Sequence, residues 1–143
     1  MKKKILSLKR IKESLLKFKN KKVVLCHGVF DLLHIGHIRH FNEAKKNGDI
    51  LIVSITPDKY VKKGPNRPVF SASIRMEAIS ELDCVDYVFI NTTPTAVNPI
   101  SIFKPHFYCK GAEYKNFSND LTGEIKNEIK CLKRYGGKIV YTG

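Results

Sequence analysis

A short apolar run that leads directly into a loop bearing glycine and histidine is the feature that most constrains the fold of this chain. Residues 23–26 are rich in branched apolar side chains, which is typical of a buried strand. The next segment carries Gly28, then His34, Gly36 and His37 where a helical pattern begins. Two imidazoles on the first turn of a helix, beside unpaired backbone N–H groups, predict a pocket for a polyphosphate.

The alternation of strands and helices continues along the chain. Further strands are predicted at 50–55, 87–90, 107–109 and 138–141, and helices at 7–19, 36–46, 71–82, 95–103 and 124–135. Such alternation predicts an α/β fold, a single Rossmann-like doubly wound domain with about five parallel strands, covered on both faces. Ligands bind such sheets at the carboxyl ends of the strands, which is where the histidine loop would lie.

Three details of the helices are open to test. Residues 1–20 are predicted as an N-terminal helical extension to a domain at 21–143, with Ser7 as the N-cap. The extension carries an apolar stripe formed by Leu8, Ile11, Leu15 and Phe18. We expect this stripe to pack either on its own domain or against a second copy of the chain. The helix at 71–82 is expected to bury Ile74, Ala78, Ile79 and Leu82. Pro99 is expected to interrupt the helix at 95–103.

Length and composition exclude several classes of protein. The 143 residues suffice for one domain with a hydrophobic core, and no apolar run approaches the ~20 residues of a membrane span. The basic N-terminus lacks the long apolar segment of a signal peptide. None of the four cysteines forms a C-x-x-C pair, which argues against a zinc site or a redox motif. We therefore predict a cytoplasmic protein.

The formal net charge of +13 indicates an anionic partner or a generally lysine-rich, solvated surface. Nucleic acid, a membrane surface and a phosphorylated small molecule are the possible partners. The basic residues are spread along the chain and no aromatic-basic platform accompanies them, so nucleic acid is the least favoured partner. A phosphorylated small molecule agrees best with the histidine loop, and neither a nucleic acid nor a membrane is predicted to bind.

Residues 28–31, Gly-Val-Phe-Asp, followed by His34-Ile35-Gly36-His37, resemble the HxGH signature of the cytidylyltransferase-like nucleotidyltransferases. The resemblance extends from about residue 21 to residue 141. It implies a Rossmann-like domain that transfers a nucleoside monophosphate from ATP or CTP to an acceptor phosphate, with release of pyrophosphate. It also implies Mg²⁺ as the counter-ion of the triphosphate, and a homodimer.

Two branches of this family compete. Arg67-Pro68-Val69, Arg75-Met76 and residues 110–114 are similar to the heptose-1-phosphate adenylyltransferase branch, which is often fused to a sugar kinase. Glycerol-3-phosphate cytidylyltransferases usually carry an arginine before the third strand, whereas residues 83–86 here read Asp-Cys-Val-Asp. The resemblance therefore favours ATP and a phosphorylated sugar such as heptose 1-phosphate. Glycerol 3-phosphate, or another polyol or amino-alcohol phosphate, with CTP is the alternative.

The resemblance assigns roles to particular residues. His34 and His37 would donate hydrogen bonds to the α-phosphate, which should favour their charged form. Lys63 and Arg75 would hold phosphates, with Lys62 a weaker candidate. The nucleotide would contact Gly28, Val29, Phe30, Asp31, Gly36, Lys110 and Gly111. The acceptor would contact Asp58, Glu113 and Tyr114.

Some residues keep alternative roles. Asp31 orients its loop, helps to hold Mg²⁺ or caps the helix, and Asp58 binds hydroxyl groups or forms a turn with Pro57. His27 is expected to line the pocket, whereas His40 and His106 are expected to be structural. No cluster of protein metal ligands is predicted.

The superfamily commonly carries a Ser/Thr-rich phosphate-binding segment after its last strand, and this sequence stops at Thr142-Gly143, before such a segment. We expect either one part of a longer protein, with a fused or separate sugar kinase, or a chain that lacks part of the triphosphate grip. In the second case, a non-catalytic nucleotide-binding module is the alternative function.

Overall fold

A computed structural model of the chain describes residues 4–17, 19–61, 64–112 and 124–143. Five parallel strands form one sheet in the order β3-β2-β1-β4-β5. The strands are β1 (Val23–Gly28), β2 (Ile50–Ile55), β3 (Tyr87–Ile90), β4 (Phe107–Gly111) and β5 (Lys138–Thr142). The helices are α1 (Leu8–Leu15), α2 (Ile35–Lys45), α3 (Ala72–Ser80), α4 (Val97–Phe103) and α5 (Ile125–Lys133), with a 3₁₀ turn at Asp58–Tyr60.

Helices cover both faces of the sheet because successive strand residues point to opposite sides. On one face, Leu25 and Ile52 pack with side chains from α1, α4 and α5. On the other face, Val24 and Leu51 pack with Phe41 of α2 and with α3. The predicted doubly wound α/β fold with five parallel strands is therefore confirmed.

The strand order reverses at β1, the central strand. The chain runs outward from β1 through β2 to β3, and then crosses to the other side of β1 to form β4 and β5. The carboxyl ends of β1 and β4 therefore flank the point of reversal, where open α/β sheets bind their ligands.

The N-terminal segment packs on the sheet domain. Ser7 caps α1 by accepting a hydrogen bond from the backbone N–H of Arg10, and Ile11 is fully buried in the core. A parallel bridge joins Ile5 to Val88 of β3. The helix ends at Leu15, earlier than predicted, and position 18 lies outside the described residues. This arrangement agrees with packing of the stripe on its own domain.

Helix α3 buries a different face from the one predicted. Ile74 is 52% exposed and Ala78 is also exposed, whereas Ala72, Arg75 and Ile79 are buried. The prediction placed four apolar residues inward, of which Ile79 is buried, and it did not allow for a buried guanidinium. A buried charge is tolerated when its hydrogen-bonding groups are satisfied, and Arg75 meets that condition.

Pro99 does not interrupt α4, which runs from Val97 to Phe103. Pro99 is the third residue of this helix, where a backbone N–H would have no acceptor within the helix. The backbone N–H of Ala96, just before the helix, donates to the buried Glu128 carboxylate at 2.9 Å.

In the part of the chain that is described, no helix is long and apolar enough to cross a membrane.

Candidate active site

The carboxyl ends of β1, β4 and β5 and one face of α2 enclose a pocket of about 500 Å³. Eight of the sequence-predicted site residues line it: Gly28, Val29, Phe30, His34, Gly36, His37, Lys110 and Gly111. The structure therefore brings the histidine loop and the end of β4 together, as the strand-end rule predicts.

The two histidines are held by backbone groups at the start of α2. His34 is the N-cap residue, and its Nδ1 accepts a hydrogen bond from the N–H of Gly36 at 3.0 Å. Nδ1 of His37 accepts from the N–H of His34 at 3.3 Å, and the ring centroids are 4.1 Å apart. Because a backbone N–H only donates, both Nδ1 atoms are unprotonated and each Nε2 carries the proton. The two rings therefore present their Nε2–H groups as donors, and the predicted preference for the charged form beside a phosphate stays a prediction.

Glycine is required at two positions for these rings to lie where they do. A Cβ added to Gly36 would lie 2.6 Å from Cε1 of His34. A Cβ added to Gly28 would lie 2.8 Å from Cζ of Phe30. Phe30 in turn packs edge-on against His37, with ring centroids 5.5 Å apart. The small residues of the motif thus let aromatic rings approach the backbone closely.

Asp31 orients the loop and does not cap the helix, whereas its role towards Mg²⁺ stays a prediction. Its carboxylate is buried and accepts hydrogen bonds from the N–H groups of Val69 at 2.7 Å and Phe70 at 2.9 Å, and from the Arg67 guanidinium at 3.3 Å. Burial alone would raise the pKa of Asp31, but the bonds from Phe70, Val69 and Arg67 outweigh it and lower that pKa. The helix cap is His34 instead.

Arg75 and Asp58 are not among the residues that line the described pocket, and their predicted contacts with phosphate and acceptor stay predictions. The Arg75 side chain is fully buried, and its Nη2–H donates to Oδ1 of Asp58 at 2.6 Å. Its Nε–H donates to the Phe70 carbonyl at 3.0 Å, and its Nη1–H donates to the Val29 carbonyl at 2.7 Å. Oδ1 of Asp58 also accepts from the N–H of Ala72. Both side chains therefore link separate segments of the protein to one another.

His27 lines the pocket as a neutral imidazole. Its Nε2 lies 3.2 Å from the carbonyl of Pro94, which only accepts, so Nε2–H is the donor; Nδ1 then accepts from the hydroxyl of Ser54 at 2.9 Å. Burial, together with the positive charge of Lys110, lowers the pKa of His27 to about 4, although the bond to Pro94 opposes this. His106, in contrast, accepts from the N–H of Val23 at 3.0 Å and joins β4 to β1.

Four further side chains line the pocket and were not predicted from the sequence: Arg39, His40, Glu43 and Thr142. His40 was expected to be structural, but it lies on the pocket wall with its Nδ1 bonded to Oγ1 of Thr142. Oε2 of Glu43 accepts from the N–H of Gly143 at 2.9 Å. The signal for the α2 residues was present in the sequence, because they recur at helical spacing after Gly36.

Four predicted site residues lie outside the described residues: Lys62, Lys63, Glu113 and Tyr114. Their predicted contacts with phosphates and with the acceptor stay predictions.

Within the described ranges, no three His, Cys, Asp or Glu side chains cluster as metal ligands. Both oxygens of Asp31 accept hydrogen bonds from protein donors. Of the described residues that line the pocket, only Glu43 carries a side-chain carboxylate. Mg²⁺ often binds through one or two carboxylates plus substrate phosphates, and the Mg²⁺ that the family resemblance implies stays a prediction.

Comparison with known proteins places these features in context. A family model described as cytidylyltransferase-like matches residues 25–135. The bifunctional protein HldE of Helicobacter pylori (strain P12) is 42% identical over 134 residues, which are 92% of this chain and 28% of that protein. HldE of Aliarcobacter butzleri (strain RM4018) is 38% identical over 121 residues, 82% of this chain and 25% of that protein. The chain thus spans about a quarter of the length of these curated relatives.

Two solved structures share the fold. The lipopolysaccharide core biosynthesis protein from Thermoplasma volcanium GSS1 superposes with a TM-score of 0.71 at 28% identity, over 87% of this chain and 98% of that chain. The pantoate-β-alanine ligase from Francisella tularensis, complexed with β-γ ATP and β-alanine, gives a TM-score of 0.66 at 17% identity. That match covers 96% of this chain and 66% of the ligase chain, and it concerns the fold alone.

Proposed function

The chain belongs to the cytidylyltransferase-like family of nucleotidyltransferases, and from that premise we propose that its pocket transfers a nucleoside monophosphate from a nucleoside triphosphate to the phosphate of a small acceptor. The observation that carries the proposal is the pair of Nε2–H donors of His34 and His37 on the pocket wall. Two adjacent donors whose tautomers are set by the backbone are suited to binding the oxygens of a phosphate.

The reaction needs no protein nucleophile. An oxygen of the acceptor phosphate attacks the α-phosphorus, a new P–O bond forms, and the bond to the bridging oxygen breaks. The bridging oxygen leaves with the electron pair, as part of pyrophosphate. The protein contributes by aligning the reactants and by donating hydrogen bonds from His34 and His37 where negative charge builds up.

We propose ATP as the nucleotide and a phosphorylated sugar such as heptose 1-phosphate as the acceptor. Residues 67–69, 75–76 and 110–112 resemble the adenylyltransferase branch, and the relatives are named HldE. The end of β4, with Lys110 and Gly111, would lie beside the base. Lys63 would neutralise the β- and γ-phosphates. Mg²⁺ would enter with the triphosphate and would offset part of its negative charge.

A sugar kinase, fused or separate, would supply the phosphorylated acceptor. The relatives are named as bifunctional proteins, and this chain spans about a quarter of their length, which supports a second activity elsewhere in them. Because nucleotides and sugar phosphates are metabolites of the cytoplasm, we propose that the protein acts there. The homodimer stays a prediction.

The test is pyrophosphate release with Mg²⁺, each of the common nucleoside triphosphates, and either heptose 1-phosphate or glycerol 3-phosphate. We expect release with ATP and heptose 1-phosphate. Release only with CTP and glycerol 3-phosphate would support the cytidylyltransferase alternative. Nucleotide binding without release for any pair would contradict the proposal and support a non-catalytic binding module.

His37→Asn tests the role of the Nε2–H donor. An Asn carbonyl oxygen can still accept the N–H of His34 in place of Nδ1, but no donor remains at the Nε2 position. We expect kcat to fall by about 10²–10³, or roughly 3–4 kcal/mol, without unfolding, and His37→Ala to abolish turnover. His106→Asn is the matched control, because Nδ1 of His106 also accepts a backbone N–H, far from the pocket. Equal activity in both Asn variants would refute the role of His37.

A further inference from the structure

We propose that Arg75 is a positioning residue for the histidine pair, and that it acts through the Val29 carbonyl and the Phe30 ring without touching substrate. The effect on turnover rests on the nucleotidyl-transfer function proposed above. The effect on the His37 ring does not, because it concerns the protein in the absence of substrate.

The first step of the argument is the set of acceptors around Arg75. A fully buried guanidinium donates to three different segments: the motif loop at Val29, the segment before α3 at Phe70, and the turn after β2 at Asp58. The Val29 contact, at 2.7 Å, is made to a main-chain carbonyl. A planar guanidinium can serve three acceptors in fixed directions, which the single ammonium of a lysine cannot reproduce.

The second step is the backbone that this contact holds. Phe30 has φ of 51°, the left-handed region that bulky residues seldom adopt. Arg75 holds the carbonyl of the preceding residue, Val29. The following residue, Asp31, is held by the N–H groups of Val69 and Phe70. Such a conformation persists only where its surroundings determine it, and here the segment before and within α3 does so on both sides.

The third step links Phe30 to the catalytic histidine. The Phe30 ring packs edge-on against His37 at 5.5 Å and against Phe41 at 4.9 Å between centroids. The ring therefore stands between the core and the His37 imidazole. If the bond from Arg75 to Val29 is lost, Phe30 can relax from its left-handed conformation and the support of the His37 ring changes.

A purely structural ion pair between Arg75 and Asp58 is the competing explanation. The Asp58 carboxylate accepts from Arg75 and from the N–H of Ala72, and neither contact is to the motif loop. Asp58→Asn weakens the ion pair but keeps the bond from Arg75 to Val29, whereas Arg75→Lys keeps the charge and loses that bond. The two variants therefore separate the explanations.

The experiment measures the ring nitrogens of His37 by ¹⁵N NMR without substrate, and kcat and KM by pyrophosphate release. In the wild type we expect the Nε2-protonated tautomer of His37. In Arg75→Lys we expect a mixture of tautomers and a kcat at least tenfold lower, with KM for the nucleotide changed less than threefold. Asp58→Asn should lose less kcat than Arg75→Lys at a similar loss of stability.

Asp86→Asn controls for stability alone, because Asp86 pairs with Lys45 and with the N–H of Leu51, away from the motif loop. It should leave the His37 spectrum and kcat unchanged. Phe30→Leu tests the last link with Arg75 intact, and should change the His37 spectrum even if Arg75→Lys fails to fold.

A wild-type His37 spectrum in folded Arg75→Lys, or in Phe30→Leu, would overturn the proposal. An absence of pyrophosphate release from the wild type would refute the proposed function alone, since the NMR comparison still decides the role of Arg75.

Discussion

At the scale of single residues, Gly36 is unfavourable for the stability of its helix but allows the His34 ring to lie close to the backbone. Alanine in place of glycine within a helix usually stabilises it by about 0.5–1 kcal/mol. At Gly36, however, the added Cβ would lie 2.6 Å from Cε1 and 2.9 Å from Nδ1 of His34. The ring must turn away, and its bond to the Gly36 N–H is lost.

We therefore predict that Gly36→Ala keeps its thermal stability and loses kcat by about 10²-fold, the typical cost of one misplaced donor. Thermal melting and pyrophosphate release measure the two effects. Full activity in a folded variant would show that the close approach of His34 to Gly36 has no catalytic role.

His27 should make the stability of the fold depend on pH. Its pKa is lowered from 6.5 to about 4, chiefly by burial and also by Lys110. Below pH 6.5 the unfolded state binds a proton that the folded state does not bind. Stability is therefore complete above pH 6.5 and falls as the pH drops towards 4, by about 3 kcal/mol in total.

His27→Gln removes the titrating group and can still donate to the Pro94 carbonyl. Urea unfolding at several pH values between 7.5 and 4 should show a steeper loss of stability in the wild type than in this variant. The contribution of Asp31 does not interfere, because the pKa of Asp31 is lowered from 3.8 and its stabilisation is lost only at lower pH. Parallel curves for the two proteins would contradict the prediction.

The sequence alone was sufficient to place the residues of the motif in the site. It was not sufficient for residues that contact the motif helix only because of the order of the strands in the sheet. Gly28, His34 and His37 follow a strand and open a helix, so their meeting at the sheet edge is a local consequence. Thr142 contacts His40 because β5 lies beside β4. The order of parallel strands in a sheet cannot be predicted from the spacing of residues along the chain.

At the scale of the elements, α1 is part of the cooperative core. Ile11 is fully buried among side chains of the central strands, α4 and α5, whereas Leu16, just after α1, is 63% exposed. We predict that Ile11→Ala lowers the free energy of unfolding by about 2–5 kcal/mol, through lost burial and a cavity. The matched change Leu16→Ala should stay within about 0.5 kcal/mol of the wild type.

Chemical denaturation of both variants provides the measurement. One transition that shifts as a whole in Ile11→Ala is expected, since α1 shares its core with the sheet. A separate early transition that leaves the main one in place would show instead that residues 1–20 behave as an extension.

For helix α3, the spacing of apolar residues predicted where the helix lies but not which of its faces is buried. Ser71 caps the helix by accepting the N–H of Ile74. The inward position belongs to Arg75, whose hydrogen bonds offset the cost of burying a charge. A pattern that counts only apolar residues assigns that position to Ile74, which is exposed.

At the scale of the whole molecule, the net charge of +13 means that anions could bind either to the basic surface or in the pocket. A strongly basic surface attracts any polyanion, and salt screens that attraction over about 8 Å at physiological ionic strength. In the proposed function, binding in the pocket depends instead on His34 and His37, and on the end of β4 for the base, all of which line it. Inorganic triphosphate shares the charge of ATP but lacks the nucleoside, so the two ligands separate the contributions.

We predict that ATP at about 100 times its Kd stabilises the wild type by roughly 2.7 kcal/mol, measured as a rise in Tm. The rise should persist at about 0.15 M NaCl, because contacts within a pocket are screened less than surface charges. Inorganic triphosphate should raise Tm less than ATP, and His37→Asn should reduce the rise with either ligand. Equal shifts for both ligands in both proteins, lost on addition of salt, would attribute anion binding to the basic surface and not to the pocket.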